Sequence, residues 1–355
     1  MYEAITIKDI AKALGLSTST VSRALRGSYE ISPETKKLVI EYAEQYNYRP
    51  NPIALSLKER RSRSIGVVVC EIANNFFSQA INGIESIAYN RGYHVIISQS
   101  HESYDREVVN VEHLASRSVD GLLVSLSAET EHIEHFRNLH EKGFPIVFFD
   151  RITEDIDTFK VVVDNYKGAY DATRHLIDAG YSKIAHVTSS QHLSITKERL
   201  EGYKAALADN GIALNESYIK YCNHGGMIFA ELEDAVKTLV NLKDRPNAIF
   251  SAGDRLTISC LSALKSISLK VPEDIALVGF SNSPLVELLS PSLTAVKQPA
   301  FEMGQVATEL LIKLIESKRP VTEFEKVVLQ TEIFKRDSSP NKIKENKSKT
   351  KKAVS

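Results

Sequence analysis

The chain has 355 residues, 43% of them hydrophobic and 25% charged, with 44 Lys or Arg against 45 Asp or Glu and a formal net charge of −1. That length and apolar share support two or three packed units with ample core, and they argue against a disordered or disulfide-stapled chain. Cys70, Cys222 and Cys260 lie far apart without metal-ligand spacing and read as small core residues of a reducing compartment.

The near-zero total hides an asymmetry. Residues 1–64 hold eleven Lys or Arg against seven Asp or Glu (+4), and residues 338–355 hold six Lys against one Glu (+5), so residues 65–337 carry −10. A basic head and tail flanking an acidic body confine nucleic-acid affinity to the ends. Neither a charged-then-apolar leader nor an apolar run long enough to span a bilayer is evident, so a cytoplasmic, nucleoid-associated protein without membrane, metal or cofactor is expected.

In chain order, Thr6 and Asp9 make a capping box that starts a helix with apolar face Ile7, Ile10, Ala11 and Leu14. Gly15 turns the chain and Ser17 caps a second helix, which buries Val21, Ala24 and Leu25 and leaves Thr18, Ser19, Ser22, Arg23 and Arg26 outside. This is helix-turn-helix spacing. An arginine on such a face can take both acceptors of a guanine edge, a contact worth roughly 1–3 kcal/mol of base discrimination, so Arg23 is the first candidate for sequence readout. A polar helical hairpin with a solvated face would show the same letters.

Ser32, Pro33 and Glu34 announce a third helix, with Leu38, Val39, Tyr42, Ala43 and Tyr46 at helical spacing closing a three-helix core. Residues 49–63 follow as a basic hinge: Asn51 as cap, Pro52 at the first helical position, and five Lys or Arg against Glu59 alone. About two turns of helix in this stretch are too short to stand alone in water.

From residue 64 the pattern becomes apolar runs alternating with amphipathic stretches. Strands are expected over 65–69, 93–98, 121–126, 146–149, 161–163, 184–187, 248–250 and 275–279, with helices between most of them, such as 77–90, 106–115 and 203–208. Continuous apolar strands alternating with helices mean parallel sheets covered on both faces. The cleft outside the carboxyl ends of such strands is where a small ligand binds. The residues at those ends are Asn75, Phe76 and Phe77, then Asp150 and Arg151, then Asp164, with Arg199, Asp254, Ser281 and Asn282 from the second half. Carboxylates, guanidinium and an aromatic face suit a polyhydroxylated ligand, although Phe76 and Phe77 would serve equally as core caps and Arg199 as a surface ion pair. His192 and His224 are further candidates, each also readable as structural.

The chain resembles the LacI/GalR family of bacterial transcription regulators. The resemblance is carried by Thr6-Ile7-Lys8-Asp9-Ile10-Ala11, Ser17-Thr18-Ser19-Thr20-Val21-Ser22-Arg23, Tyr48-Arg49-Pro50-Asn51-Pro52-Ile53-Ala54-Leu55-Ser56-Leu57, Val119-Asp120-Gly121, Arg199-Leu200-Glu201-Gly202-Tyr203 and Val296-Lys297-Gln298-Pro299. It implies an N-terminal all-α helix-turn-helix domain plus an α/β periplasmic-binding-protein-like core of two doubly wound parallel-sheet subdomains. The second helix would then lie in a major groove, placing Thr18, Ser19 and Arg23 on bases. The paired hinge helices of a homodimer would enter the minor groove, with Leu57 as the wedge at the central step. Leu57 could instead be an ordinary buried leucine.

The expected DNA-binding set is Thr6, Ser17, Thr18, Ser19, Thr20, Ser22, Arg23, Arg26, Asn51, Ile53, Ala54, Leu57 and Lys58. The expected partners are a pseudo-palindromic double-stranded operator and a sugar-like effector. Expected boundaries are 1–48 for the helix-turn-helix domain, 49–63 for the hinge, 64–337 for the core and 338–355 for a disordered basic tail. Within the core, one half takes about 64–164 and 293–319 and the other about 165–292 and 320–337, with crossings near 164–166, 290–293 and 317–323 and a final strand over 327–334.

Two departures from the family pattern bear on the effector. Ser281 stands where many members have an aspartate that accepts effector hydroxyls, and residues 191–196 replace the arginine and threonine of purine-binding relatives. The resemblance therefore points away from a purine and weakens a simple free-sugar assignment. An enzyme is the alternative class, but no Gly-rich phosphate loop, nucleophile elbow or His-Glu-x-x-His helix is present. An exported solute-binding protein would share the clamshell but lack residues 1–63.

Overall fold

The computed structural model describes residues 5–48, 61–116 and 119–342. It divides into two compact units, residues 1–62 and 63–355. The hinge residues Asn51, Ile53, Ala54, Leu57 and Lys58 and the tail beyond residue 342 lie outside the described residues.

The first unit holds α1 (Ile7–Ala13), α2 (Thr18–Leu25) and α3 (Pro33–Gln45). Its start is the expected capping box: Thr6 N–H donates to Asp9 Oδ2 at 2.9 Å, and Asp9 N–H to Thr6 Oγ1 at 3.4 Å. Gly15 takes φ +64°, which an L side chain rarely adopts, and lets Leu16 N–H reach back to the Ala11 carbonyl at 2.9 Å. Ile10, Ala11, Val21, Ala24, Val39 and Ala43 form the core, flanked by Leu14, Leu25, Ile31 and Tyr42. Leu38 and Tyr46, expected inside, are about half exposed. The α3 stripe facing the core is therefore narrower than the run of apolar letters, because two short partner helices can cover only Val39, Tyr42 and Ala43.

The second unit carries two six-stranded sheets. The first has the order β11-β5-β4-β3-β1-β2, built from β1 (Ser64–Val69), β2 (His94–Gln99), β3 (Leu122–Val124), β4 (Ile146–Phe149), β5 (Lys160–Val163) and β11 (Lys326–Leu329), all parallel. The second has the order β12-β10-β9-β8-β6-β7, built from β6 (Ile184–Thr188), β7 (Ile219–Tyr221), β8 (Ala248–Ser251), β9 (Ala276–Phe280), β10 (Thr294–Lys297) and β12 (Glu332–Phe334). Its only antiparallel pair among the described residues is β10 with β12. Helices α4 (Asn75–Asn90), α5 (Tyr104–Ser116), α6 (Glu134–His140) and α11 (Ala300–Glu316) cover the first sheet. Helices α7 (Asn165–Asp178), α8 (Ser194–Asp209), α9 (Phe229–Val240) and α10 (Asp254–Ser266) cover the second. Burial on both faces explains why the strands read as unbroken apolar runs.

The first crossing falls at Asp164, as expected, but the other two differ. Thr294–Lys297 still belongs to the second sheet, so the return crossing is at 298–299 rather than 290–293. The run 327–334 is not one strand: Lys326–Leu329 pairs with β5 in the first sheet and Glu332–Phe334 with β10 in the second, so the third crossing is at 330–331. Apolar alternation continues through the crossing, which is why the two strands look like one. Among the described residues, no helix is long and apolar enough to cross a membrane.

Candidate functional site

On the first unit, α2 presents Thr18, Ser19 and Arg23 to solvent, with Ser17 and Thr6 also exposed. The Ser17 hydroxyl caps the helix, accepting from Thr20 N–H at 3.0 Å, and meets the hydroxyls of Ser19 at 2.7 Å and Thr20 at 2.8 Å. Ser17 and Thr20 are thus occupied in building the helix start. Arg26 turns back on its own helix, donating Nε–H to the Ser22 carbonyl at 3.1 Å and Nη2–H to the Ser22 hydroxyl at 3.2 Å. Arg23 instead pairs through Nη1 with Glu30, in the turn that follows α2, at 3.1 Å.

In the second unit, the carboxyl ends of both sheets face one cleft. The cavity there measures about 60 Å³ and draws Phe76, Phe77, Asp150 and Arg151 from the first lobe and Arg199 and Asp254 from the second. Six of the ten expected residues therefore meet there. The other four stand one layer back. Ser281 donates its hydroxyl to Asp254 Oδ1 at 2.5 Å, and the Asn282 N–H reaches the same oxygen at 3.2 Å. Asn75 opens α4 behind the Asn74 cap. Asp164 is spent on capping α7, where it accepts from Lys167 N–H at 2.8 Å. Its neighbour Asn165 takes the inward place and accepts from Arg199 Nε–H at 2.8 Å.

Each guanidinium at the cavity has a protein partner. Arg199, 3% exposed, donates to Asn165, to the Ala252 carbonyl at 2.7 Å and to Gln298 Oε1 at 2.7 Å, with the Phe280 ring 3.9 Å beneath it. Burial lowers its pKa to about 10, so it stays charged at neutral pH. Arg151 donates to Glu102 Oε2 at 2.6 Å, and Glu102 also accepts the Ala128 N–H at 2.8 Å. Arg255 pairs with Glu71 across the mouth of the cleft. Gln79 and Asn282 also join the lobes: Gln79 Nε2–H donates to the Asn282 main-chain carbonyl at 2.9 Å, and Asn282 Nδ2–H donates to Gln79 Oε1 at 2.8 Å.

Two further carboxylates face the cavity, Asp150, whose Oδ2 lies 4.0 Å from Arg151 Nε, and Asp254, and burial raises the pKa of both. Asp150 holds φ +59°, a conformation that non-glycine residues seldom keep except where surrounding structure enforces it. Phe76 and Phe77 stand edge to face at 5.1 Å and are almost fully buried, so they wall the cavity and join the core at once. A larger hollow of about 620 Å³ between the lobes includes Thr130, Glu131, His192, Lys197 and Glu201. His192 pairs there with Glu131 at 3.0 Å, while His224 pairs with Glu231 at 3.3 Å and lines neither space.

Comparison with known proteins decides the family. The profile of bacterial regulatory proteins of the lacI family matches residues 6–51, and that of the periplasmic binding protein-like domain matches residues 173–339. The HTH-type transcriptional repressor PurR of Vibrio campbellii is 34% identical over 338 residues, covering 94% of this chain and 98% of that protein. The chain belongs to the lacI family.

The solved structure of the transcriptional regulator CelR with cellobiose has a TM-score of 0.70 at 28% identity, over 94% of this chain and 99% of that one. The lac repressor dimer bound to operator and the anti-inducer ONPF shares the fold, with a TM-score of 0.80 at 22% identity over 95% of this chain and all of that one. As a lacI-family member the chain is a DNA-binding transcriptional regulator that responds to a small-molecule effector, and its relatives are regulators rather than enzymes.

Sequence reasoning missed Glu71, Glu102, Arg255 and Gln298 at the cleft and Glu30 beside Arg23. Glu71 and Glu102 follow β1 and β2, so the strand-end rule that found Asp150 would have found them too. Gln298 stood inside a quoted motif without a role.

Proposed function

We propose that the chain is a repressor that binds a pseudo-palindromic operator as a homodimer, and that its effector is a neutral, hydroxylated, sugar-like molecule. The observation that carries the effector class is the charge pairing in the cleft. Glu71, Glu102, Asp150 and Asp254 line the cavity against Arg151, Arg199 and Arg255, one more carboxylate than guanidinium, and each guanidinium already holds at least one protein acceptor, with Arg151 Nε left without a hydrogen-bond partner. A phosphate or carboxylate ligand would meet excess negative charge and would compete with Glu71 and Glu102 for the guanidiniums. A polyol would donate hydroxyls to Asp150 and Asp254 and cover the edges of Phe76 and Phe77. The cellobiose complex of the CelR regulator supports a sugar for this cleft shape.

A cavity of about 60 Å³ is below the roughly 300 Å³ of an ordinary ligand pocket, so the lobes part to admit the effector. The three single-pass crossings at 164, 298–299 and 330–331 are the segments about which they turn. That rotation changes the geometry handed to the hinge at 49–63 and thereby operator affinity, with Thr18, Ser19 and Arg23 reading bases. Dimerisation is supported by apolar side chains left exposed: Ile96 and Ile97 on edge strand β2, Val109 on α5, and Ile258, Leu285 and Leu288 in the second lobe. The direct test is a thermal-shift screen of the full chain against neutral sugars, sugar phosphates and purines. A rise in melting temperature with a neutral sugar, lost in Asp150→Asn, is expected; a response confined to phosphates or purines contradicts the reading.

A further inference from the structure

We propose that Glu30 is a positioning residue for DNA readout: its carboxylate holds the Arg23 guanidinium so that the Nε and Nη2 edge faces the base. This rests on the reading of Arg23 as the base-contacting arginine. The ion pair is made at Arg23 Nη1, 3.1 Å from Glu30 Oε2. The opposite edge of the guanidinium, Nε with Nη2, is the planar pair of donors that fits the two acceptors of guanine side by side. A carboxylate on Nη1 fixes the rotation of that plane without using the reading edge.

The placement of Glu30 is built into the backbone. Gly27 turns the chain at φ +69° after α2, Ser28 N–H returns to the Arg23 carbonyl at 3.1 Å, and Ile31 N–H bonds the Ser28 carbonyl at 3.3 Å before its side chain enters the three-helix core. The turn carrying Glu30 is thus tied at one end to the residue it pairs with and at the other to the core. Arg26, the other arginine of this face, is folded onto Ser22 and is not in competition for the carboxylate.

An acid on a DNA-facing surface costs phosphate affinity. Its presence next to the base-reading arginine exchanges non-specific affinity for discrimination. The two effects therefore separate in experiment, because removing Glu30 raises binding to random DNA while lowering base preference.

The test uses the full chain and needs no known operator. Wild type, Arg23→Ala, Glu30→Ala, Glu30→Gln and the Arg23→Ala/Glu30→Ala double variant are each selected against randomised double-stranded DNA, and the base-preference profiles are compared. Glu30 is half exposed, so the variants fold, which melting curves verify. Arg23→Ala flattens one position per half-site. Glu30→Ala weakens the preference there by about threefold, the scale of an exposed ion pair, while Glu30→Gln, which keeps an oxygen acceptor, weakens it less. Both Glu30 variants bind a random-sequence duplex more tightly than wild type.

In the Arg23→Ala background Glu30→Ala adds nothing to the profile. If Arg23→Ala leaves the profile unchanged, the reading of Arg23 fails and the proposal with it. If Arg23→Ala flattens the position but Glu30→Ala matches wild type, the positioning role alone is overturned. It is overturned too if the effect of Glu30→Ala persists without Arg23, since Glu30 would then contact DNA itself.

Discussion

Arg199 donates its Nη2–H to Gln298 Oε1 at 2.7 Å, at the point where the chain returns from the second lobe to the first. Through Nε it also holds Asn165, the residue just past the first crossing. One buried guanidinium therefore ties two of the three segments about which the lobes turn. Arg199→Ala leaves Asn165, Gln298 and the Ala252 carbonyl without their donor, and a loss of about 2–4 kcal/mol is expected in urea unfolding. Arg199→Lys keeps the charge but not the fork and recovers only part of it.

His186 sits fully buried on β6, stacked on Tyr203 at 4.9 Å with Phe250 at 5.0 Å. Burial first, and the charge of Arg199 second, lower its pKa to about 3. The unfolded chain binds a proton near pH 6.5 that the folded chain refuses, so stability is full above that pH and is lost as pH falls toward 3. About 2 kcal/mol should disappear between pH 7 and pH 5. His175, also lowered chiefly by burial, acts in the same direction. Urea unfolding of His186→Leu at the two pH values should show a shallower fall than wild type; an equal fall would remove His186 as the cause.

Helices α4 and α11 cross at Gly83 and Gly304. A Cβ on Gly304 would overlap the Ala80 carbonyl oxygen and one on Gly83 the Phe301 carbonyl oxygen, both backbone atoms that no rotamer change can move. Gly304→Ala should cost about 2 kcal/mol by overpacking, read as a fall in melting temperature.

Ile96 and Ile97 lie exposed on β2, at the edge of the first sheet. If this edge joins the subunits, Ile97→Lys yields monomers in sedimentation velocity at micromolar protein while leaving the circular dichroism spectrum of the fold intact. A dimer of unchanged strength places the interface elsewhere.

Much of this architecture is legible in the residues. The runs at 65–69 and 146–149 are strands to within a residue of their observed ends, because strands buried on both faces must be apolar throughout. Ile219–Tyr221 and Thr294–Lys297 escaped, being three and four residues long with a lysine in each. The cleft is legible where a residue ends a strand, as Asp150 does, and illegible where its role lies in a distant partner. Glu102 matters through Arg151, 49 residues on, and Gln298 through Arg199, 99 residues back. Asp164 shows the converse: a carboxylate in the right place for the ligand is taken by the helix it caps, and Asn165 turns inward instead.

On the proposed function, a neutral sugar in the cleft controls DNA binding by the helix-turn-helix unit. Fluorescence anisotropy of the full chain on a duplex taken from its own selection, titrated with neutral sugars, sugar phosphates and purines, tests it most directly. At least one neutral sugar is expected to shift the Kd for that duplex about tenfold or more, and Asp150→Asn to abolish the shift without changing sugar-free DNA binding. A shift produced only by phosphates or purines, or one that survives Asp150→Asn in full, would contradict it.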